Sequence, residues 1–225
     1  MNRNGSDIVC YWGSGSAPSW RVLICIHEKQ LTKATLELLS MSDKEHKEER
    51  ILKLNPRGQV PTFKDGNVVI NESLAICDYL AEAYKGQGTE LIPSDTIEKG
   101  LMRQRSHELQ NLYGKVITLS RYYWKRKPYY TQDIVQTKIE DLSTEIKLWE
   151  SYISNGYLVG NQFTMADACF FPVVAFMVRL GFDVTQCNNL NEFYKINAKR
   201  ESIVTTWPPH WKDSKNKTIF KSLIL

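Results

Sequence analysis

Residues 59–63 read Gln-Val-Pro-Thr-Phe, and residues 71–76 read Asn-Glu-Ser-Leu-Ala-Ile. This segment decides the fold that we predict for the first part of the chain. A proline inside an apolar strand is confined to an edge, a bulge or a cis turn, because it has no N–H to donate to the ladder. A cis bond between Val60 and Pro61 turns the N–H and C=O of Val60 outward, where they are free to pair with an extended ligand.

The residues around this segment predict a small domain of alternating strands and helices. Apolar spacing and turn residues give the order strand, helix, strand, helix, hairpin, helix. The hairpin turns at Asp65-Gly66, a dipeptide that favours tight turns. The predicted strands are residues 7–12, 34–39, 60–63 and 68–70, and the predicted helices begin near Pro18 and span 43–54 and 72–84.

The second half of the chain predicts helices and no convincing strand. Residues 86–95 contain glycine, proline and polar residues and predict a linker. Helical periodicity then covers residues 98–123, 131–154, 164–180 and 190–199. We therefore expect an N-terminal domain over residues 1–85, the linker over 86–95 and an all-helical domain over 96–225.

Two local patterns in the second half concern helix ends. Thr164 and Asp167 form the pattern of a capping box ahead of an apolar run, which is a device for starting a helix and not a catalytic pair. Trp207-Pro208-Pro209 predicts a helix stop and a surface anchor. Neither pattern predicts chemistry.

The composition limits the kinds of protein that this chain can be. Its 225 residues are 42% hydrophobic, enough for two modest cores, and a net charge of +4 with scattered basic residues predicts no nucleic-acid partner. Polar residues at 1–6 and the lack of a long apolar run predict no secretory signal and no membrane span, and therefore a cytosolic protein. Five widely spaced cysteines without a Cys-x-x-Cys pair predict reduced core thiols and no metal site.

Four motifs in order give the chain a resemblance to a known family. They are Ser-Ala-Pro-Ser-Trp-Arg-Val at 16–22, Leu-Asn-Pro-Arg-Gly-Gln-Val-Pro at 54–61, Asn-Glu-Ser-Leu-Ala-Ile at 71–76 and Phe-Thr-Met-Ala-Asp at 163–167. With them the chain resembles the cytosolic glutathione S-transferases over almost its whole length. Residues 12–16 and 207–211 look most like the serine-type rho class of aquatic animals, which is related to theta and zeta. The resemblance implies an N-terminal thioredoxin-like domain followed by an all-helical C-terminal domain.

The resemblance also implies glutathione as the co-substrate, an acidic tripeptide with an ammonium and a carboxylate at its γ-glutamyl end. The Glu72 carboxylate suits the ammonium, and the Ser73 hydroxyl with the first N–H groups of the helix suits the carboxylate. The alternative is an ordinary helix cap at these positions. The Val60 backbone after Gln59, next to Pro61, is expected to pair with the cysteinyl unit.

Two further residues are assigned to glutathione by resemblance. Gln59 is expected at the γ-glutamyl end, although a solvent-facing glutamine is its alternative. His46 stands where related serine-type enzymes carry a histidine near the glycine carboxylate, although a surface histidine among charged neighbours is equally consistent with the sequence.

The chemistry requires a thiolate, because an unperturbed thiol has a pKa of about 8.5 and is a poor nucleophile. Ser16 lies between the first strand and the first helix, so its hydroxyl can donate a hydrogen bond to the sulfur at the positive end of that helix. The resemblance favours Ser16 as the catalytic residue. Ser14 and Tyr11 remain competitors, and Ser16 as a plain helix cap is the structural alternative.

An apolar pocket for the electrophile is expected between the domains. Aromatic and aliphatic walls with few polar groups suit flat apolar molecules, although residues of this kind at helical spacing are more often core. The predicted pocket residues are Tyr113, Ile117, Tyr123, Trp124 and Trp211.

These observations lead us to expect a glutathione transferase that acts on small hydrophobic electrophiles in detoxification, without a metal. Ser16-Ala17-Pro18-Ser19 carries hydroxyls where thioredoxin-like oxidoreductases carry two cysteines, which excludes dithiol exchange at this site. The resemblance implies a homodimer. A glutathione-dependent peroxidase or isomerase and a non-enzymatic carrier of hydrophobic ligands are the alternatives.

Overall fold

The computed structural model describes residues 4–125, 131–212, 218–221 and 223, and for residues 123–125 it describes the helical backbone alone. The chain divides into two compact units, Met1–Pro93 with Arg200–Ser214, and Ser94–Lys199 with Lys215–Leu225. A small mixed sheet with its helices comes first in the chain, and a large helical part follows it. The domain boundaries predicted from the sequence remain a proposal.

The N-terminal part of the first unit, up to Pro93, contains a four-stranded sheet and three α-helices. The strands are β1 (Ile8–Trp12), β2 (Thr35–Leu38), β3 (Thr62–Asp65) and β4 (Val68–Asn71), and the helices are α1 (Ala17–Glu28), α2 (Glu49–Leu52) and α3 (Ser73–Ala83). The strand order is β2-β1-β3-β4, with β1 and β2 parallel and the other pairs antiparallel. The predicted succession of elements is confirmed, with the hairpin strand beginning two residues later than expected.

The core of this unit lies between the sheet and the two long helices. Cys10 of β1, Val22 of α1, Phe63 of β3 and Ile76 of α3 are all fully buried. Helices α1 and α3 pack against each other. The apolar residues at helical spacing in α1 are therefore buried in the core, as the sequence pattern predicts.

The predicted helix over residues 43–54 is wrong in its extent. The segment contains a short 3₁₀ turn (Glu45–Lys47) and the four-residue α2. Lys44 has a left-handed backbone with φ of 61°, and Glu48 is extended with ψ of 151°, so the backbone leaves helical geometry twice. Of the residues in these two elements only Ile51 is buried, and a charged segment without an apolar face has little tertiary packing to hold a longer helix.

The second unit is helical. It contains α4 (Thr96–Lys125), α5 (Gln132–Tyr152), α6 (Met165–Arg179) and α7 (Asn188–Asn197), with a 3₁₀ turn at Val184–Gln186. Within the described part of this unit the only β interaction is an isolated bridge between Ser154 and Tyr157. None of the helices in the described ranges combines the length and the apolar character needed to cross a membrane.

The capping box at the start of α6 is confirmed. Asp167 is fully buried, and its carboxylate accepts hydrogen bonds of 2.8 Å from the Leu158 N–H, the Thr164 N–H and the Thr164 hydroxyl. Burial raises the pKa of Asp167 to about 6, and the three donors oppose that rise. The residue therefore joins the preceding loop to the helix start.

Two short helices follow in the segment that returns to the first unit. These are α8 (Glu201–Thr205) and α9 (Pro209–Lys212). The sequence predicts a helix stop at residues 207–209; α8 ends just before them, at Thr205, and Pro209 begins the separate helix α9. Proline suits the first helical position because its missing N–H has no partner there in any case.

Candidate active site

The sheet brings three of the predicted site segments to one edge. Tyr11, Thr62 and Asn71 are register partners across β1, β3 and β4. Strands β1 and β4 end at this edge and β3 begins there, so the turn after β1, residue 60 and the start of α3 all lie at it. Consistent with this, a Cβ added to Gly13 would lie 3.2 Å from Cγ2 of Val60.

Ser16 is the N-cap of α1. Its Oγ accepts a 3.3 Å hydrogen bond from the Ser19 N–H, and the Ser16 N–H closes the preceding turn on the Gly13 carbonyl. A hydroxyl has two lone pairs and one proton, so capping occupies a lone pair and leaves the proton available. Among the described residues no acceptor takes that proton. Capping and donation to a sulfur are therefore compatible roles for one oxygen.

The two competing hydroxyls have other neighbours. Ser14 Oγ lies 2.7 Å from Nδ1 of His210, in α9. Tyr11 faces the side of the sheet that carries its register partner Glu37, and Arg50 Cζ lies 5.9 Å from the centre of the Tyr11 ring. Arg50 is in turn bonded to Glu37. The side chains of Ser14 and Tyr11 thus each lie beside another side chain.

The Val60-Pro61 peptide bond is cis, which is one of the alternatives that the sequence left open. No hydrogen bond within the described residues uses the backbone N–H or carbonyl of Val60. The loop before it is held by the buried side chain of Asn55, whose Nδ2 donates to the Gln59 carbonyl (3.1 Å) and to Thr62 Oγ1 (3.2 Å). The side chain of Gln59 is exposed.

Glu72 has an unusual backbone conformation, with φ of 77° and ψ of 111°. A positive φ in a residue with a Cβ costs roughly 1–3 kcal/mol, and such strain is found most often at functional sites. Glu72 is the N-cap of α3, yet its side chain makes no capping bond. The Asn71 amide is used elsewhere, because its Nδ2 donates to the Leu54 carbonyl at 3.0 Å. Neither Glu72 nor Asn71 therefore provides the ordinary helix cap that the sequence left open. Ser73 is the buried first residue of α3.

His46 lies in the 3₁₀ turn beside the loop that leads to Val60. A Cβ on Gly58 would lie 2.8 Å from the His46 carbonyl oxygen. Lys47, the next residue, donates its Nζ to the Arg57 carbonyl at 2.8 Å. His46 is partly exposed, and its Nδ1 is buried without a hydrogen-bond partner.

The predicted electrophile residues are distributed over both units. Tyr113 and Ile117 are half-buried residues of α4, and Trp211 is a half-buried residue of α9. The side chains of Tyr123 and Trp124 lie outside the described residues. This set remains a prediction.

Comparisons with known proteins bear on the family. Residues 15–83 match the glutathione S-transferase N-terminal domain, and residues 114–201 match the glutathione S-transferase C-terminal domain. Glutathione S-transferase A of Pleuronectes platessa is 41% identical over 212 residues, which cover 92% of this chain and 94% of that protein. The chain belongs to the glutathione S-transferase family.

Solved structures of other glutathione transferases have the same fold as this transferase. A glutathione S-transferase from the Antarctic clam Laternula elliptica has a TM-score of 0.90 and 41% identity, over 97% of this chain and 100% of that one. A glutathione transferase homologue from Sulfitobacter, solved with bound glutathione, has a TM-score of 0.74 and 21% identity, over 91% and 97% of the two chains. Assignment to the rho class remains a prediction.

The cysteines of the transferase are all buried. Cys10, in β1 close to the candidate site, is fully buried, and burial raises its pKa to about 12. It therefore stays a thiol at neutral pH and does not compete with a bound sulfur as a nucleophile. Among the described residues there is no cluster of three or more His, Cys, Asp or Glu side chains arranged to hold a metal.

Two functional features of the transferase were missed from the sequence. The sequence analysis predicts no separate role for Asn55, although its amide holds the loop before Val60. His210 was noticed only as part of a motif, and its contact with Ser14 joins residues that are 196 positions apart. The first was recognisable as a side chain able to bond neighbouring backbone, whereas the second has no local pattern.

Proposed function

We propose that this transferase conjugates glutathione to small hydrophobic electrophiles, with Ser16 as the residue that stabilises the thiolate. The observation that carries the proposal is the position of the Ser16 hydroxyl at the start of α1. Its oxygen accepts the capping hydrogen bond from the Ser19 N–H, and its proton remains available for donation. Donation of that proton to a sulfur, together with the helix dipole, favours the ionised form. Membership of the glutathione S-transferase family identifies glutathione as the co-substrate.

The residues that hold glutathione follow from the same edge of the sheet. The unpaired backbone of Val60 is suited to the cysteinyl unit, as a strand edge pairs with a peptide. The uncapped N–H groups of α3, the Ser73 hydroxyl and the Glu72 carboxylate suit the charged γ-glutamyl end. We assign Gln59 to that end and His46 to the glycine carboxylate.

In the reaction the thiol of bound glutathione loses its proton to solvent, and the sulfur is held as a thiolate by the Ser16 hydroxyl. The thiolate then attacks an electrophilic carbon, a C–S bond forms, and a leaving group such as halide departs with its electron pair. We propose Tyr113, Ile117, Tyr123, Trp124 and Trp211 as the residues that contact the electrophile. Apolar side chains suit this role because they exclude water from the reacting sulfur.

The test is the pH at which bound glutathione absorbs in the ultraviolet as a thiolate, measured in Ser16→Ala and Tyr11→Phe. A hydrogen bond to a charged group contributes about 1.5–3 kcal/mol, so Ser16→Ala is expected to raise the pKa of the bound thiol by about one to two units. Tyr11→Phe is expected to leave it unchanged. A rise in Tyr11→Phe without one in Ser16→Ala would show that the assignment is wrong.

A second experiment separates the transferase from the alternative functions. Retention on immobilised glutathione followed by turnover of an aryl halide is expected. Retention without turnover favours a carrier, and turnover of peroxides or of an isomerase substrate in place of the halide favours those reactions. We also propose a homodimer in the cytosol, which sedimentation of the purified chain and fractionation of cells test directly.

A further inference from the structure

The segment Arg200–Lys212, here called the return segment, follows α1 backwards from its end to its beginning. Arg200 donates to Glu28 at the last residue of α1, with Nε and Nη2 at 2.5 Å and 2.7 Å from the two carboxylate oxygens. Thr206 accepts a 2.8 Å hydrogen bond from Nε1 of Trp20, in the first turns of the helix. His210 reaches Ser14, before the helix. All of these residues belong to one compact unit.

The middle of the return segment is anchored by an aromatic cluster. Trp20 is 2% exposed, and its ring centre lies 5.1 Å from that of Trp207 and 5.6 Å from that of Trp211, both near perpendicular. Edge-to-face pairs of this kind add stability beyond their buried area. Trp207 and Trp211 lie on either side of His210 in the sequence, and both pack on Trp20. The cluster therefore fixes the backbone that places the His210 ring beside the turn.

The turn between β1 and α1 is shaped to receive that ring. Gly15 has φ of +78°, and a Cβ there would lie 2.9 Å from Cε1 of His210 and 3.2 Å from Nε1 of Trp211. Any other residue at this position would be strained by the positive φ, and its Cβ would clash with the His210 ring. Ser14 and Ser16 flank this glycine, so His210 contacts the two residues that precede the candidate catalytic serine.

We propose that His210 is a positioning residue, which fixes the turn that presents the Ser16 hydroxyl to the sulfur through its hydrogen bond to Ser14. The inference rests on the proposed role of Ser16. Without this bond the turn is held at its ends by the Gly13 contacts to Ser16 and Ser19, while its middle residues lose their support. A donor that samples several orientations stabilises a charge less than a preorganised one.

The experiment measures the pKa of the thiol of bound glutathione, by its ultraviolet thiolate absorbance, in full-length variants. His210→Phe keeps a ring but removes the bond, and Ser14→Ala removes the other partner. A neutral hydrogen bond contributes about 0.5–1.5 kcal/mol, so each change is expected to raise this pKa by about half a unit to one unit. The double variant is expected to match either single one, because both remove one bond.

Two variants control for other effects. His210→Asn keeps a hydrogen-bonding group near the place of Nδ1 and is expected to restore most of the shift. His27→Phe makes the same substitution in α1 at a histidine without a contact to the turn and is expected to leave the pKa unchanged. The KM for glutathione is expected to stay within about twofold in every variant, since the groups proposed to grip the peptide are untouched.

Tryptophan fluorescence of the Trp20 cluster reports whether the return segment stays in place. Where His210→Phe changes that fluorescence, Ser14→Ala carries the decision, because it leaves the segment intact. The inference is overturned if His210→Phe and Ser14→Ala leave the thiolate pKa unchanged while Ser16→Ala raises it, or if the two changes add in the double variant. A Ser16→Ala variant without effect would instead refute the proposed function.

Discussion

The carboxylate of Glu28 is the anchor of the return segment, and its removal is expected to destabilise the first unit strongly. It is 7% exposed and accepts hydrogen bonds from the guanidinium of Arg200 and from the hydroxyls of Ser202 and Thr89. Glu28→Ala removes the carboxylate that accepts from a partly buried guanidinium and from two hydroxyls. Loss of one partner of a buried ion pair costs about 3–5 kcal/mol, which is the fall that we expect in the free energy of unfolding.

The assay is urea unfolding at a fixed protein concentration, with Glu201→Gln as the matched control. Glu201 lies next to Arg200 but is exposed, so its substitution is expected to change the unfolding free energy by less than about 0.5 kcal/mol. Glu28→Gln keeps one acceptor oxygen without the charge and is expected to cost about half as much as alanine. A loss below about 1 kcal/mol in Glu28→Ala would refute the reasoning, because it would mean that the four hydrogen bonds only balance the cost of burial.

The pH dependence of stability provides an independent check on the same residue. Burial raises the pKa of Glu28, but the hydrogen bonds from Arg200, Ser202 and Thr89 outweigh it and hold the pKa below its ordinary value of 4.5. A depressed pKa gives a stabilising contribution that is present above the ordinary value and is lost as the pH falls through the folded-state value. Acidification below pH 4.5 is therefore expected to destabilise the wild type more than Glu28→Gln.

Two further substitutions test the strained acid and the capping box. Glu72→Gly is expected to raise the free energy of unfolding by about 1 kcal/mol, because glycine adopts a positive φ without strain. The same change removes the carboxylate and is expected to weaken glutathione binding about tenfold or more. Glu72→Ala is expected to weaken binding equally without the gain in stability. Equal stability of the two variants in urea unfolding would remove the argument from strain. Asp167→Ala leaves three buried donors unpaired and is expected to cost about 3 kcal/mol or more by the same assay, with kcat unchanged in the folded protein; a catalytic loss at full folding would contradict the structural role.

The elements of the first unit were predictable because their determinants are close together in the sequence. The Asp65-Gly66 turn, the apolar spacing of α1 and the proline at residue 61 each act on their immediate neighbours, and the hairpin, the helix and the cis bond are all found. Residues 43–54 were predicted wrongly for the converse reason. The ends of a charged segment without an apolar face are set by two non-helical residues, Lys44 and Glu48, and neither has a distinctive sequence pattern.

The candidate site was predicted in part. A hydroxyl after the first strand and an acid before α3 were recognisable as residue types suited to a thiolate and an ammonium. The backbone of Glu72 was not, because glutamate rarely adopts a positive φ and only the packing around it can impose one. Our proposal of Ser16 over Ser14 and Tyr11 likewise rests on their neighbours, since a hydroxyl acts as donor or acceptor according to the groups around it.

The sequence by itself determined the succession of strands and helices, the kinked segment before β3 and the chemical types of the side chains at the sheet edge. Those properties follow from interactions between residues a few positions apart. The tertiary structure alone decided that the return segment belongs to the first unit, that Trp20 anchors it and that His210 meets Ser14. Contacts between residues almost two hundred positions apart depend on how buried surfaces fit together, and that fit is a property of the folded chain.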